Sequence, residues 1–162
     1  MPYSIREFET RDAQAIADLT LEAIRAVGAH RYTPDQVAAW AARHPGAERF
    51  LARAAEGHQI FVAESASGTV AAYSLLEPDG HLDMLYCHPD HTRRGLADAL
   101  LDHSESHARA KGMSRLYTEA SEVARPAFER AGYVVQHRRD FTIEHDGREV
   151  AIHNYAMEKP LD

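Results

Sequence analysis

The spacing of apolar positions changes several times along this 162-residue chain, and each change predicts an element. Tyr3–Phe8 reads as a short strand. Thr10-Arg11-Asp12 then opens a segment in which Ile16, Leu19, Leu21, Ala23, Ile24 and Val27 recur close to a 3.6-residue period, the mark of a helix with one apolar face. Thr33-Pro34-Asp35-Gln36 is a second helix start: an N-cap threonine, proline at the first helical position, and a glutamine placed to complete a capping box. That helix carries Val37 and the only tryptophan, Trp40, and a third helical stretch over Ala47–Ala55 ends at Gly57.

Beyond Gly57 the texture becomes that of strands. Ile60–Glu64, Val70–Leu76 and His81–His88 predict a meander, with turns at Ser65–Thr69 and Pro78-Asp79-Gly80. A helix is predicted from about Arg94 to Lys111, stopped by Gly112. A strand over Leu116–Glu119 and a helix over Val123–Ala131, closed by Gly132, come next. The chain ends in a hairpin of Tyr133–Ile143 and Glu149–Glu158, turned at Asp146-Gly147. The order β-αα(α)-βββ-α-β-α-ββ predicts an α/β protein of the α+β type, a mixed and mostly antiparallel sheet flanked by helices. No repeat or Pro/Ser/Gly linker divides it, so one domain over 1–162 is expected.

Composition narrows the function. With 44% hydrophobic residues a chain of this size builds a core unaided, burying about 68–70% of its unfolded surface. A single cysteine, Cys87, excludes an intrachain disulfide and fits a reducing compartment. No apolar run nears the ~18 residues of a membrane span, and Met1-Pro2-Tyr3 has neither a basic nor an apolar leader segment. A cytoplasmic protein without a membrane partner is expected. Lys+Arg 18 against Asp+Glu 25 leaves a charge of −7, which argues against nucleic acid and toward a cationic partner.

The segment His81-Leu-Asp-Met-Leu-Tyr-Cys-His-Pro-Asp-His-Thr-Arg-Arg-Gly-Leu-Ala-Asp concentrates chemistry. A strand ends at His88-Pro89, a polar loop carries Arg93, Arg94 and Gly95, and a helix begins at once. Unpaired N–H groups and the dipole at a helix start attract anions, and glycine lets backbone approach a phosphate closely. The segment reads as a phosphate- or pyrophosphate-binding turn. It has neither the Gly-x-x-x-x-Gly-Lys nor the Gly-x-Gly-x-x-Gly pattern, which sets ATP and NAD behind other anions.

Thr92-Arg93-Arg94-Gly95-Leu96-Ala97 resembles the (Gln/Arg)-x-x-Gly-x-(Gly/Ala) turn of the GNAT superfamily of acyl-CoA-dependent N-acyltransferases, with Thr92 departing at the first position. Ser121-x-x-Ala124-x-x-x-Phe128-x-x-x-Gly132-Tyr133 is similar to a second block of that family. Tyr32-Thr33-Pro34, Gln36, Ala39-Trp40 and Asn154-Tyr155-x-Met157-Glu158-Lys159 further resemble a bacterial YafP-type subgroup. The resemblance implies a GNAT fold and an N-acetyltransferase that moves acetyl from acetyl-CoA to a primary amine, on a small molecule or a protein, by direct attack. Pantetheine would follow the strand end at Leu85, Tyr86 and Cys87, and the pyrophosphate would sit on the amides of Arg93, Arg94, Gly95, Leu96, Ala97 and Asp98. Ser121, Ala124 and Phe128 would complete the cofactor site; Ile24, Tyr32, Trp40 and Tyr155 would line the acceptor site.

Amine acetylation needs a base for the ammonium proton and a proton for the departing thiolate. Period 2 places His81, Asp83, Leu85 and Cys87 on one strand face, and Leu82, Met84, Tyr86 and His88 on the other. His81 is the expected base, aided by Asp83, because an imidazole titrates in the needed range. Phe128 stands where many relatives carry a proton-donating tyrosine, leaving Tyr133, Tyr155, Tyr32 or water; Tyr133 is taken first. No metal is expected: His81, Asp83, His88 and His91, or the pair His103/His107, lack a full ligand pattern. Rival readings are a non-catalytic acyl-CoA-binding domain, a nucleotide-phosphate enzyme, and an interaction module that uses the C-terminal hairpin as a homodimer edge.

Overall fold

A computed structural model describes residues 2–44 and 46–162. The elements run β1 (Tyr3–Glu7), α1 (Ala13–Val27), α2 (Pro34–Ala42), α3 (Ala47–Ala55), β2 (Gln59–Ser65), β3 (Val70–Leu76), β4 (Leu82–Cys87), α4 (Leu96–Ala110), β5 (Arg115–Ala120), α5 (Arg125–Arg130), β6 (Val134–His145) and β7 (Arg148–Pro160). The sequence-based order holds throughout. The α2 capping box forms as expected: the Gln36 N–H donates to Thr33 Oγ1 at 3.2 Å, and the Thr33 N–H donates to Gln36 Oε1 at 2.9 Å. Gly112 ends α4 in the left-handed region, where the Met113 N–H reaches back to the Ala108 carbonyl at 3.0 Å.

β1–β2–β3–β4 form one antiparallel sheet and β5–β7–β6 another. α1 and α3 cover one face of the first sheet, burying Ile16, Leu19, Phe50, Tyr73 and Met84. α4 covers the other face through Leu96 and Leu100 against Ala63, Ala71 and Ala72. α2 packs on the hairpin of β6 and β7, with Val37 and Ala39 against Ile143 and Ile152.

The mixed character of the fold is confined to the join between the sheets. His81 and Tyr117 form an isolated parallel bridge, the Tyr117 N–H donates to the Gly80 carbonyl at 3.0 Å, and Thr118 Oγ1 donates to the Leu82 carbonyl at 2.7 Å. A Cβ on Gly80 would stand 2.3 Å from the Arg115 carbonyl oxygen, at a φ of +100°. Only glycine lets the two strands meet here. Past this join no ladder between β4 and β5 continues among the described residues, so the strands part and leave space between the sheets.

A β-bulge corrects the expected faces of β4. Leu75 pairs with Met84 while Leu76 pairs with Leu82, so Asp83 is an extra residue with no partner on β3. An extra residue inverts the alternation on either side of it. Leu82 therefore packs toward α4 with Leu76 and Leu101, whereas Met84 packs toward α1. Asp83 is separated from Leu85 and Cys87, which share the α4 side, and its carboxylate meets Arg53 of α3. Period 2 alone does not reveal a bulge.

Candidate active site

Two cavities open where β4 and β5 part. The first, about 470 Å³, lies between the end of β4, the start of α4 and α5. The second, about 500 Å³, lies between β4, β5, the α2–α3 region and the hairpin. Trp40, Leu85, Tyr86, Ser121 and Ala124 line both, so the cavities meet at the mouth of the split.

The turn-side cavity is built by the segment that the sequence singled out. Gly95 has φ +76° and caps α4, whose first bond is from the Ala99 N–H to the Gly95 carbonyl. The preceding N–H groups of Leu96, Ala97 and Asp98 thus stand outside the α-helical ladder, at the positive end of a 15-residue helix. Arg93 also lies in the left-handed region, at φ 62°. Arg93 and Arg94 are exposed and make no ion pair among the described residues, whereas the carboxylate of Asp98 is tied to Arg130 of α5 at 3.0 Å. Arg93, Gly95, Leu96, Ala97, Asp98, Ser121 and Ala124 all face this cavity. Ser121 Oγ accepts from the Ala124 N–H at 3.1 Å and shapes the turn into α5.

The edge of β4 is also suited to a ligand. The His88 N–H donates to the Ala71 carbonyl of β3 at 2.8 Å. Backbone polarity alternates along a strand, so the main-chain groups of Cys87 and Leu85 point the other way, into the split. Cys87 Sγ lies 3.4 Å from the His91 carbonyl, and burial pushes its thiol up to about 11, so it is a neutral wall group. Ile24, expected in the acceptor site, lines this cavity instead.

In the hairpin-side cavity, ion pairing decides which groups are available. His81 lies behind the wall, its ring stacked on Tyr117 at 4.8 Å, with Nε2 2.8 Å from Glu119 Oε1 and Nδ1 3.2 Å from Glu77 Oε1. Burial opposes its charge, but the bonds to Glu119 and Glu77 and the charge of Asp83 raise it to about 9. An imidazolium at neutral pH has no lone pair for an incoming proton. Arg53 Nη2 reaches Glu77 at 2.7 Å and Asp83 at 3.0 Å. Glu77, His81 and Asp83 bring three donor atoms within 4.8 Å of one another, yet the Arg53 guanidinium supplies the positive charge between the two carboxylates. Glu119, which the sequence reading passed over, faces the cavity directly. Its signal was a carboxylate inside a strand, two residues from Tyr117 on the same face.

Tyr86 lies at the junction. Its hydroxyl is 3.2 Å from His44 Nε2. Burial pushes the phenol well above its usual range and pushes His44 down to about 4, so both are neutral. Tyr32 lines the hairpin-side cavity, accepting from the Glu122 N–H at 2.9 Å and donating to the His153 carbonyl at 3.1 Å. Three expectations fall elsewhere. Tyr133, taken as the proton donor, is buried against Phe128 at a centroid distance of 5.0 Å and reaches neither cavity. Tyr155 is outside both, its hydroxyl 3.2 Å from Glu122 and its ring under Arg125. Phe128 lines the hairpin-side cavity rather than the turn side.

Comparison with known proteins agrees with this architecture. The acetyltransferase (GNAT) domain family matches residues 28–150, and the chain belongs to that family. Within it the chain is of the YafP type: it is 33% identical over 129 residues to the uncharacterised N-acetyltransferase YafP of Escherichia coli (strain K12), covering 80% of this chain and 79% of that one. A GCN5-related N-acetyltransferase structure from Rhodopseudomonas palustris superposes with a TM-score of 0.85 at 30% identity, over 99% of this chain and 97% of that one. The paia N-acetyltransferase of Thermoplasma acidophilum, solved with coenzyme A, shares the fold at 18% identity, with a TM-score of 0.79 over 99% and 100% of the two chains.

Proposed function

We propose that this GNAT acetyltransferase holds acetyl-CoA in the turn-side cavity and a primary amine in the hairpin-side cavity. One observation carries the reading: a helix start with uncommitted N–H groups and Arg93, without an ion-pair partner among the described residues, opens into a cavity that joins a second, polar one, while Arg94 stands exposed beside it outside the cavity lining. Acetyl-CoA supplies a thioester carbonyl, at which the amine nitrogen forms a C–N bond while the C–S bond breaks and its electron pair leaves on sulfur. Leu96–Asp98 amides with Arg93 and Arg94 bind the diphosphate, and the freed main-chain groups of Leu85 and Cys87 align the pantetheine arm.

Glu119 takes the proton of the attacking amine, because it is the carboxylate that faces the cavity without an arginine on it. His81 acts as a positioning residue, fixing Glu119 from behind. Tyr86, held neutral at the junction, donates a hydrogen bond to the departing sulfur, and solvent supplies the final proton. The unpaired Cys87 favours the cytoplasm as the site of action, and the outer edge of β6 is the surface for a homodimer. No described helix is long and apolar enough to cross a membrane.

The test is acetyl-CoA titration by calorimetry, followed by mass spectrometry of a pooled amine library. Binding together with an acetylated product is expected. No binding at millimolar acetyl-CoA overturns the donor site, and binding without any acetylated amine overturns the transfer.

A further inference from the structure

The hairpin-side cavity carries more positive charge than a site for a simple cationic amine requires. Both of its carboxylates are already matched, Asp83 by Arg53 at 3.0 Å and Glu119 by His81 at 2.8 Å. Three further arginines line the same space: Arg43 at the end of α2, Arg49 in the first turn of α3, and Arg139 on β6. None of the three makes an ion pair among the described residues.

This concentration is unexpected for so acidic a chain. Of its 18 Lys and Arg residues, ten are engaged by carboxylates and eight have no such partner among the described residues, and three of those eight surround this one cavity. Arg139 is moreover held in place, donating to Asn154 Oδ1 at 3.1 Å and lying 5.4 Å over the Phe141 ring. Arg43 and Arg49 both bear on His44, adding to the burial that keeps it uncharged, and its buried Nδ1 has no partner among the described residues.

Arg43, Arg49 and Arg139 are exposed at the rim of the cavity, and guanidinium groups gathered at a cleft give it a positive field. Such a field disfavours an amine whose only charge is its ammonium, and it favours one that also carries a carboxylate, which a guanidinium fork can grip with two bonds. A cavity of about 500 Å³ is of small-molecule size. We infer that the acceptor is an amino acid, its carboxylate held by Arg43, Arg49 and Arg139 and its amine directed at Glu119. The net charge of the sequence, which pointed to a cationic partner, is thus reversed locally.

The orientation of the amine rests on the acetyl transfer proposed above, so the experiment reads the carboxylate separately. The twenty common amino acids and their matched amides are titrated calorimetrically into the protein, with and without CoA. At least one amino acid is expected to bind about tenfold or more tightly than its amide, as a charge-assisted bidentate contact provides. The double variant Arg43→Gln/Arg49→Gln should erase that preference, and Arg49→Lys should retain part of it, with acetyl-CoA affinity unchanged in both. Amides binding as tightly as the acids, a preference that survives the double variant, or no binding in either panel overturns the inference. Loss of acetyl-CoA binding alone would count against the donor site and leave the carboxylate preference standing.

Discussion

The two cavities share five residues and a strand, yet they are built in opposite ways. The turn-side cavity takes nearly half of its wall from one continuous stretch, Leu85 to Leu100, closed by α1 and α5, and the chemistry of that stretch is mostly backbone: a glycine at φ +76°, a helix start, and an open strand edge. The hairpin-side cavity gathers side chains from α2, α3, β4, β5, β6 and β7, and its properties come from how those charges pair. A local, main-chain site tolerates side-chain change and fixes one ligand class. A dispersed, side-chain site is free to vary its ligand while the first stays constant.

Substitutions on either side should break this contrast in order of size. Glu119→Gln is expected to lower kcat by about 10²–10⁴, the usual contribution of a positioned base, while leaving acetyl-CoA affinity unchanged. Steady-state kinetics with calorimetry checks both halves; a variant that loses acetyl-CoA binding would show the two sites to be one. Arg93→Gln/Arg94→Gln should do the reverse, weakening acetyl-CoA about tenfold with a shallower salt dependence. Tyr86, which lines both cavities, should fall between them: Tyr86→Phe is expected to cost about tenfold in kcat with little change in either binding constant. An unchanged kcat would clear the phenol of that role.

A smaller effect concerns stability. His81 is raised from 6.5 to about 9 in the folded protein. A raised pKa stabilises the fold fully below about pH 6.5, and that contribution is lost as pH rises through about 9. Wild type should therefore exceed His81→Asn in melting temperature most at pH 6, and the gap, worth about 1–2 kcal/mol after solvent screening, should close by pH 10. A gap that is constant with pH would place the imidazolium outside this network. At the join of the sheets, Gly80→Ala should destabilise by at least about 1–3 kcal/mol, because the positive φ strains the backbone and the added Cβ clashes with the Arg115 carbonyl, read by thermal melting.

The same contrast explains what was legible in the amino-acid sequence. Element order, the Thr33–Gln36 capping box and the Gly95 turn are decided within a few residues, so local pattern reveals them. The bulge at Asp83 is set by pairing with β3, and it moved Asp83 off the face assigned by simple alternation. His81 looked like a base because an isolated imidazole titrates near neutrality; two carboxylates, Glu77 across the β3–β4 turn and Glu119 from the distant β5, make it an imidazolium instead. Arg138 and Arg139 are adjacent basic residues that carry no local signal of a site. Strand alternation sends Arg138 to Asp140 and Arg139 into the cavity. Tyr133 had the chemistry of a proton donor, but the packing of Phe128 against it seals it in the core.

Acetyl-CoA calorimetry on the wild type and on Arg93→Gln/Arg94→Gln tests the central claim most directly, because it asks whether the glycine-opened start of α4 is the donor site. The expected result is saturable one-to-one binding by the wild type and roughly tenfold weaker binding by the double variant. Equal affinity in the two proteins, or no heat of binding at millimolar acetyl-CoA, would contradict it.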